Sequence, residues 1–125
     1  MICPYCNQPA KFVDNAEIYN GTRYGNSYMM WWCRPCDALV GTHHNDPDKP
    51  LGTMANKELR VWRRKAHAAF DPLWKSKKMT RQEAYHWLYE QTGKWIHMGE
   101  SDIEMCKLVI SKVEELNQIL EGLKK

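Results

Sequence analysis

The sequence predicts an α+β fold in which a β-hairpin lobe packs on a three- to four-helix lobe, and three observations predict it. Two C-x-x-C pairs, Cys3-Pro4-Tyr5-Cys6 and Cys33-Arg34-Pro35-Cys36, bracket a stretch rich in aromatic and turn-forming residues. The second half of the chain replaces that pattern with apolar residues at three- and four-residue steps. Helix-opening and helix-closing residues punctuate this second half at Thr80, Gly93 and Ser101.

Each element follows from its residues. Residues 11–19 and 28–33 are short β-prone segments, and Asn20-Gly21 to Gly25-Asn26 between them supplies the turn of a hairpin. A third short strand is expected over 38–42. Residues 46–54, with prolines at 47 and 50, read as a linker between a lobe at 1–45 and a helical lobe at 55–125. Leu59, Trp62, Ala66, Ala69, Phe70 and Leu73 lie on one face of a helix over about 56–70, and Asp71-Pro72 forces a kink or a restart. Thr80-Arg81-Gln82-Glu83 has the form of a capping box, opening a helix that stops near Gly93. Ser101-Asp102-Ile103-Glu104 has the same form, and the helix after it carries Ile103, Cys106, Val109, Ile110, Val113, Leu116, Leu120 and Leu123 on a single stripe.

Composition narrows the class. The chain of 125 residues is 43% hydrophobic and 26% charged, which suits one folded unit with a small appendage and excludes a disordered or collagen-like chain. Its longest uncharged apolar run, residues 28–33, is far shorter than the roughly 18 residues a spanning helix needs. The start Met1-Ile2-Cys3-Pro4 lacks the basic and apolar pattern of an export signal, so a cytoplasmic protein without a membrane partner is expected. The formal charge of +3 hides a segregation. Residues 55–81 carry nine basic and two acidic side chains, whereas the segments on either side are each net negative.

Five cysteines in a reducing compartment point to metal ligands or free thiols. A hairpin brings Cys3, Cys6, Cys33 and Cys36 to one tetrahedral centre, the spacing of a zinc ribbon. A thioredoxin-like redox pair or an iron–sulfur cluster would use the same residue types, but two pairs flanking a hairpin, neither opening a helix after a strand, favour Zn²⁺. Four thiolates leave no position for water or substrate, so this single Zn²⁺ is expected to be structural. Asn7 and Asp37, which follow the pairs, are types that tolerate the left-handed conformation such knuckles need. Cys106, on the apolar stripe, reads as a buried core thiol.

The order of motifs carries a resemblance. C-P-Y-C, then C-R-P-C-D-A-x-V-G-x-H, P-L-G-T, A-H-A-x-F-D-P-L-W, R-x-E-A-Y-x-W-L, H-M-G and a late cysteine, over about residues 3–110, resemble the small zinc-finger-containing proteins of phages and prophages, a family without an assigned activity. The resemblance implies a zinc finger at Cys3, Cys6, Cys33 and Cys36 and a phage-related cytosolic setting, and it implies no enzyme.

Because a closed zinc site lends rigidity and no chemistry, the expected function is recognition without catalysis. Arg60, Arg63, Arg64, Lys75, Lys77 and Lys78, interleaved with Trp62 and Trp74, form a basic band suited to nucleic acid. The alternative is a module that binds and modulates a host protein through Tyr28, Trp31 and Trp32, of which the two adjacent tryptophans must face opposite sides of a strand. A weaker third reading is a small metal-dependent nuclease centred on His43, His67 and Asp71, with His97 a further candidate for the same cluster.

Overall fold

Two C-x-x-C turns and the β-prone residues around them build a four-stranded antiparallel sheet in the order β1-β2-β3-β4. In the computed structural model, which describes residues 1–25, 28–76 and 78–124, the strands are β1 (Lys11–Asp14), β2 (Met29–Cys33), β3 (Ala38–His43) and β4 (Asp46–Pro50). The chain divides into two compact units, Met1–Arg60 and Val61–Lys125.

In the first unit, side chains directly opposite across the ladder share a face. Phe12, Trp31 and Val40 are cross-strand neighbours, as are Cys33 and Ala38. This face buries Cys3, Cys33, Ala38, Val40 and Met54, with Trp31 packed against them. Trp32 alternates to the other face, between Lys11 and Leu39. The opposite-face expectation for the two tryptophans is therefore met, but both are half-buried and only Tyr28 of the three aromatic candidates is exposed.

Two local expectations are corrected here. Residues 11–19 are not one strand: β1 ends at Asp14, whose carboxylate accepts from Ala16 N at 2.9 Å and caps the short helix α1 (Asn15–Ile18). Asn15, buried, then donates from Nδ2 to Tyr24 O at 2.8 Å and accepts from Tyr24 N at 3.3 Å, so an asparagine-pinned loop replaces a simple hairpin turn. Asn20, Gly21 and Gly25 take the positive φ expected of turn residues, and Asn26 lies outside the described residues. The stretch 46–54 is not a plain linker, because its first five residues form β4, with Thr42 opposite Pro50 and a register shift between Thr42 and His43. Prolines at 47 and 50 are compatible with a strand at the sheet edge, where one side of the backbone makes no ladder bonds.

Helix α2 (Lys57–Phe70) opens where Asn56 Oδ1 accepts from Leu59 N at 3.0 Å, and the division between the units falls inside it, after Arg60. In the second unit Ala66 and Phe70 bury the α2 face, and Pro72 restarts the chain as α3 (Pro72–Lys75). Helix α4 (Arg81–Thr92) has the expected capping box, with Glu83 N on Thr80 Oγ1 and Thr80 N on Glu83 Oε1, both at 3.1 Å, and ends on left-handed Gly93. Phe70 and Tyr85 meet with ring centroids 4.8 Å apart. Helix α5 (Ile103–Lys124) buries Cys106, Val109 and Val113, but Leu120 and Leu123 of the same stripe are exposed. Its expected capping box is shifted by one residue: Asp102 Oδ1 accepts from Met105 N at 2.8 Å, while buried Ser101 turns its hydroxyl to His97 O at 3.2 Å. The carboxylate of Asp102 is the better acceptor for an orphan amide, which frees Ser101 to satisfy a carbonyl on the buried side. Among the described residues no helix is long and apolar enough to cross a membrane.

Candidate metal centre

The first knuckle is a tight turn closed by its own backbone. Cys3 N donates to Gln8 O and Asn7 N to Cys3 O, both at 2.9 Å, and Asn7 takes φ 61°. In the second, Cys33 ends β2, Asp37 N donates to Arg34 O at 3.1 Å, and Asp37 takes φ 51° before Ala38 starts β3 opposite Cys33. The left-handed conformation expected at both positions is present, and it turns the chain so that the two sulfurs of each pair face the same point.

The four Sγ atoms of Cys3, Cys6, Cys33 and Cys36 lie within 4.8 Å of one another, with Cys6 and Cys33 at 3.7 Å. A Zn–S bond of about 2.3 Å requires a tetrahedral edge of about 3.8 Å, so the closest pair already has that spacing. No disulfide links them; all four are free thiols, two of them buried. Burial pushes the Cys3 thiol up, but amide hydrogen bonds at Tyr5 and Cys6 and the neighbouring thiols outweigh it and bring it down to about 7. Cys36 is pushed up to about 12, first by its hydrogen bond with Cys6 and then by burial. At Cys33 the Cys36 amide favours the thiolate, yet burial and the sulfurs of Cys6 and Cys3 raise it. The pocket thus tolerates one negative charge and resists the next, the situation a soft divalent cation resolves. Among the described residues this is the one group of three or more metal-ligating side chains, and it holds thiols alone, so the residues fit a single structural Zn²⁺.

Both knuckles are tied to the start of α2. Tyr5 Oη, from the first pair, accepts from Asn56 N at 3.1 Å. Arg60 Nη1 donates to the carbonyls of Asp37 and of Ala55, the latter at 3.0 Å, and its Nη2 reaches the Asp37 carboxylate at 3.1 Å. Arg60 therefore serves the metal knuckle. Arg63, half-buried, donates from Nε to Ser101 O at 2.9 Å and braces the entry to α5. The band expected from the sequence is divided by these commitments. Arg64, Lys75 and Lys78 are exposed, and Lys77 lies outside the described residues.

The band's aromatics have partners the sequence only half discloses. Lys65 and Lys107 lie over the Trp62 ring at 4.6 and 5.2 Å, while Lys75 and Arg81 lie over Trp74 at 5.6 and 5.5 Å. Lys107 was not legible as part of this group, since it comes from another helix. His67 and Asp71 sit 3.5 Å apart as an exposed i, i+4 pair, with Lys75 3.8 Å from the same carboxylate group. His43 ends β3 in the first unit, and His97 lies 4.0 Å from Glu100 in the second.

A zinc-bearing β-sheet unit followed by a helical unit defines a small zinc-finger protein. The family model described as a zinc-finger-containing domain matches residues 1–116, and the chain belongs to that family. No curated protein and no solved structure matches it.

Proposed function

We propose that the protein is a non-catalytic recognition module that binds nucleic acid through exposed cations of its second unit. One observation carries the reading: Trp62 and Trp74 each hold two cations over a single ring. Two like charges gathered at one ring repel, and a phosphate placed beside them removes that repulsion while releasing condensed counterions. Lys75 and Lys107 have carboxylates at 3.8 and 4.0 Å, but among the described residues Arg64, Lys65, Lys78 and Arg81 have none. Four thiolates around zinc leave no open coordination position, which supports a structural metal and a function of recognition. Free thiols in place of disulfides suit a cytoplasmic setting, and the motif order suits a phage-encoded protein.

The test is a salt series. Changing Arg64, Lys65 and Lys78 together to Gln should weaken binding to many sequences alike and lower the salt slope by about one unit per lost phosphate contact. A parent protein that binds neither DNA nor RNA at low salt defeats the reading. The second reading, a module that modulates a host protein, is favoured by exposed Phe12, Tyr24 and Tyr28 in the first unit. Its affinity would hardly respond to salt.

A further inference from the structure

We infer that the cleft between α4 and the segment 95–97 is a stacking site for one unpaired nucleobase of a single strand, a subsite that rests on the nucleic-acid reading above. The cleft is made by a chain reversal. Gly93, left-handed, ends α4, and the Thr92 hydroxyl donates to Leu88 O at 2.8 Å and accepts from Lys94 N at 3.3 Å, which turns residues 94–97 back beside the helix. Buried Ile96 and half-buried Tyr85 line it on the apolar side. Arg81, Gln82 and His97 supply its polar side. Its volume of about 630 Å³ falls in the range of small-ligand sites.

Trp95 is the feature that needs an explanation. It is 66% exposed, an unusual position for a tryptophan in a unit that buries Phe70 and Leu88 completely. Yet it is held in place: its ring stacks on Tyr89 with centroids 4.3 Å apart and planes 16° from parallel, and His86 meets its edge at 5.9 Å. One face of the indole is therefore fixed against Tyr89, and a planar guest can add to the stack. Any base has a π-face, so such a platform is tolerant of sequence. Charge selects a nucleotide over a purely apolar guest. Arg81 lines the same cleft, has no carboxylate partner among the described residues, and is steadied over the rings of Trp74 and Tyr85 at 5.5 and 5.6 Å. A phosphate beside Arg81 with its base on Trp95 uses both features, and Gln82 offers an amide donor and acceptor to the base edge. A duplex keeps its bases stacked inside and cannot enter.

The experiment compares a single-stranded oligonucleotide carrying 2-aminopurine with its duplex, using the full chain in four forms. These are the parent, Trp95→Ala, Trp95→Phe and the Arg64, Lys65 and Lys78 triple Gln variant. Trp95→Ala should weaken single-strand binding at least about fivefold and abolish 2-aminopurine quenching, while duplex affinity stays within about twofold. Trp95→Phe should restore most of both, since it returns a ring. Single-strand affinity unchanged in Trp95→Ala, or equal losses for strand and duplex, would overturn the stacking site. So would adenosine monophosphate binding as tightly as the oligonucleotide, which would make a free nucleotide the occupant. The triple variant separates the two readings: if it binds strand and duplex like the parent, the cation reading fails whatever Trp95 does, and if it weakens both while Trp95→Ala changes nothing, only the stacking site fails.

Discussion

The guanidinium of Arg60 binds both the backbone carbonyl and the carboxylate of Asp37, the residue whose left-handed backbone shapes the second zinc knuckle. An arginine at this place does for the metal site what a second layer of hydrogen bonds does for metal ligands elsewhere: it holds the loop that aims them. Arg60→Gln should destabilise the first unit by about 1–3 kcal/mol and loosen its zinc, because a charged donor is withdrawn from two carbonyls. Denaturant unfolding and competition with a chelator check it. Unchanged unfolding together with weakened nucleic-acid binding would return Arg60 to the phosphate-binding set.

Zinc itself should be present at one ion per chain, and Cys33→Ser should lose it. The face that buries Cys3, Cys33, Ala38, Val40 and Met54 is small, so metal removal should melt the sheet of the first unit before α4 and α5. Elemental analysis with circular dichroism during chelation reads both. Full zinc retention in Cys33→Ser would contradict the four-thiolate site.

What could be read from the chain depended on whether the information was local. The four zinc ligands, the Thr80–Glu83 box and the Gly93 stop were legible because spacing alone defines them. Strand β4 was hidden by its prolines, which are excluded from strand interiors but admissible at an edge, and edge position is a property of the whole sheet. The roles of Arg60, Arg63 and Asn15 were hidden for a related reason. Their acceptors stand 23, 38 and 9 residues away, and no local pattern distinguishes a surface arginine from one that bonds a distant carbonyl. Trp95 went unread because its exposure depends on the turn at Gly93.

The capping box gives a prediction in pH. Hydrogen bonds from the Thr80 backbone and side chain hold the Glu83 carboxyl below its ordinary value of 4.5. A depressed folded value means the carboxylate's stabilising contribution is present above the unfolded value and is lost as pH falls through the folded one. A carbon-13 titration should place Glu83 below 4.5, and Thr80→Ala should move it back up while costing about 1 kcal/mol of stability. An unmoved midpoint in Thr80→Ala would remove the hydroxyl from the cause.

Cys106 should be silent to thiol reagents until α5 opens, since it is fully buried. Burial pushes its thiol up, with Arg63 opposing and Asp102 assisting. A raised folded value favours the native state below the unfolded thiol value near 9.0 as a constant, and above it the unfolded chain gains by ionising, so stability should fall as pH rises past that point. Cys106→Ala should flatten this alkaline decline. Labelling at the rate of an exposed cysteine in the native protein would contradict the burial.

Asn15 offers the sharpest separation between hydrogen bonding and packing in the first unit. It is small and polar, yet buried, and its side chain uses both ends on one residue: Nδ2 gives a hydrogen bond to Tyr24 O and Oδ1 receives one from Tyr24 N. Its own amide also donates to Tyr28 O, so three bonds close the loop between α1 and β2 at one point. Asn15→Ala removes both side-chain bonds and leaves the Tyr24 amide and carbonyl to find water, at about 1–3 kcal/mol. Asn15→Asp keeps the shape and the acceptor but sets a carboxylate oxygen against the Tyr24 carbonyl, so it should cost more than Ala above the aspartate value near 4 and less once acid protonates it. Unfolding midpoints of the two variants across that pH range check the order. If Asp proves the milder change at neutral pH, the loop is held by the Asn15 backbone bond to Tyr28 and by Asp14, whose salt bridge to Arg23 at 2.7 Å lies on the same turn.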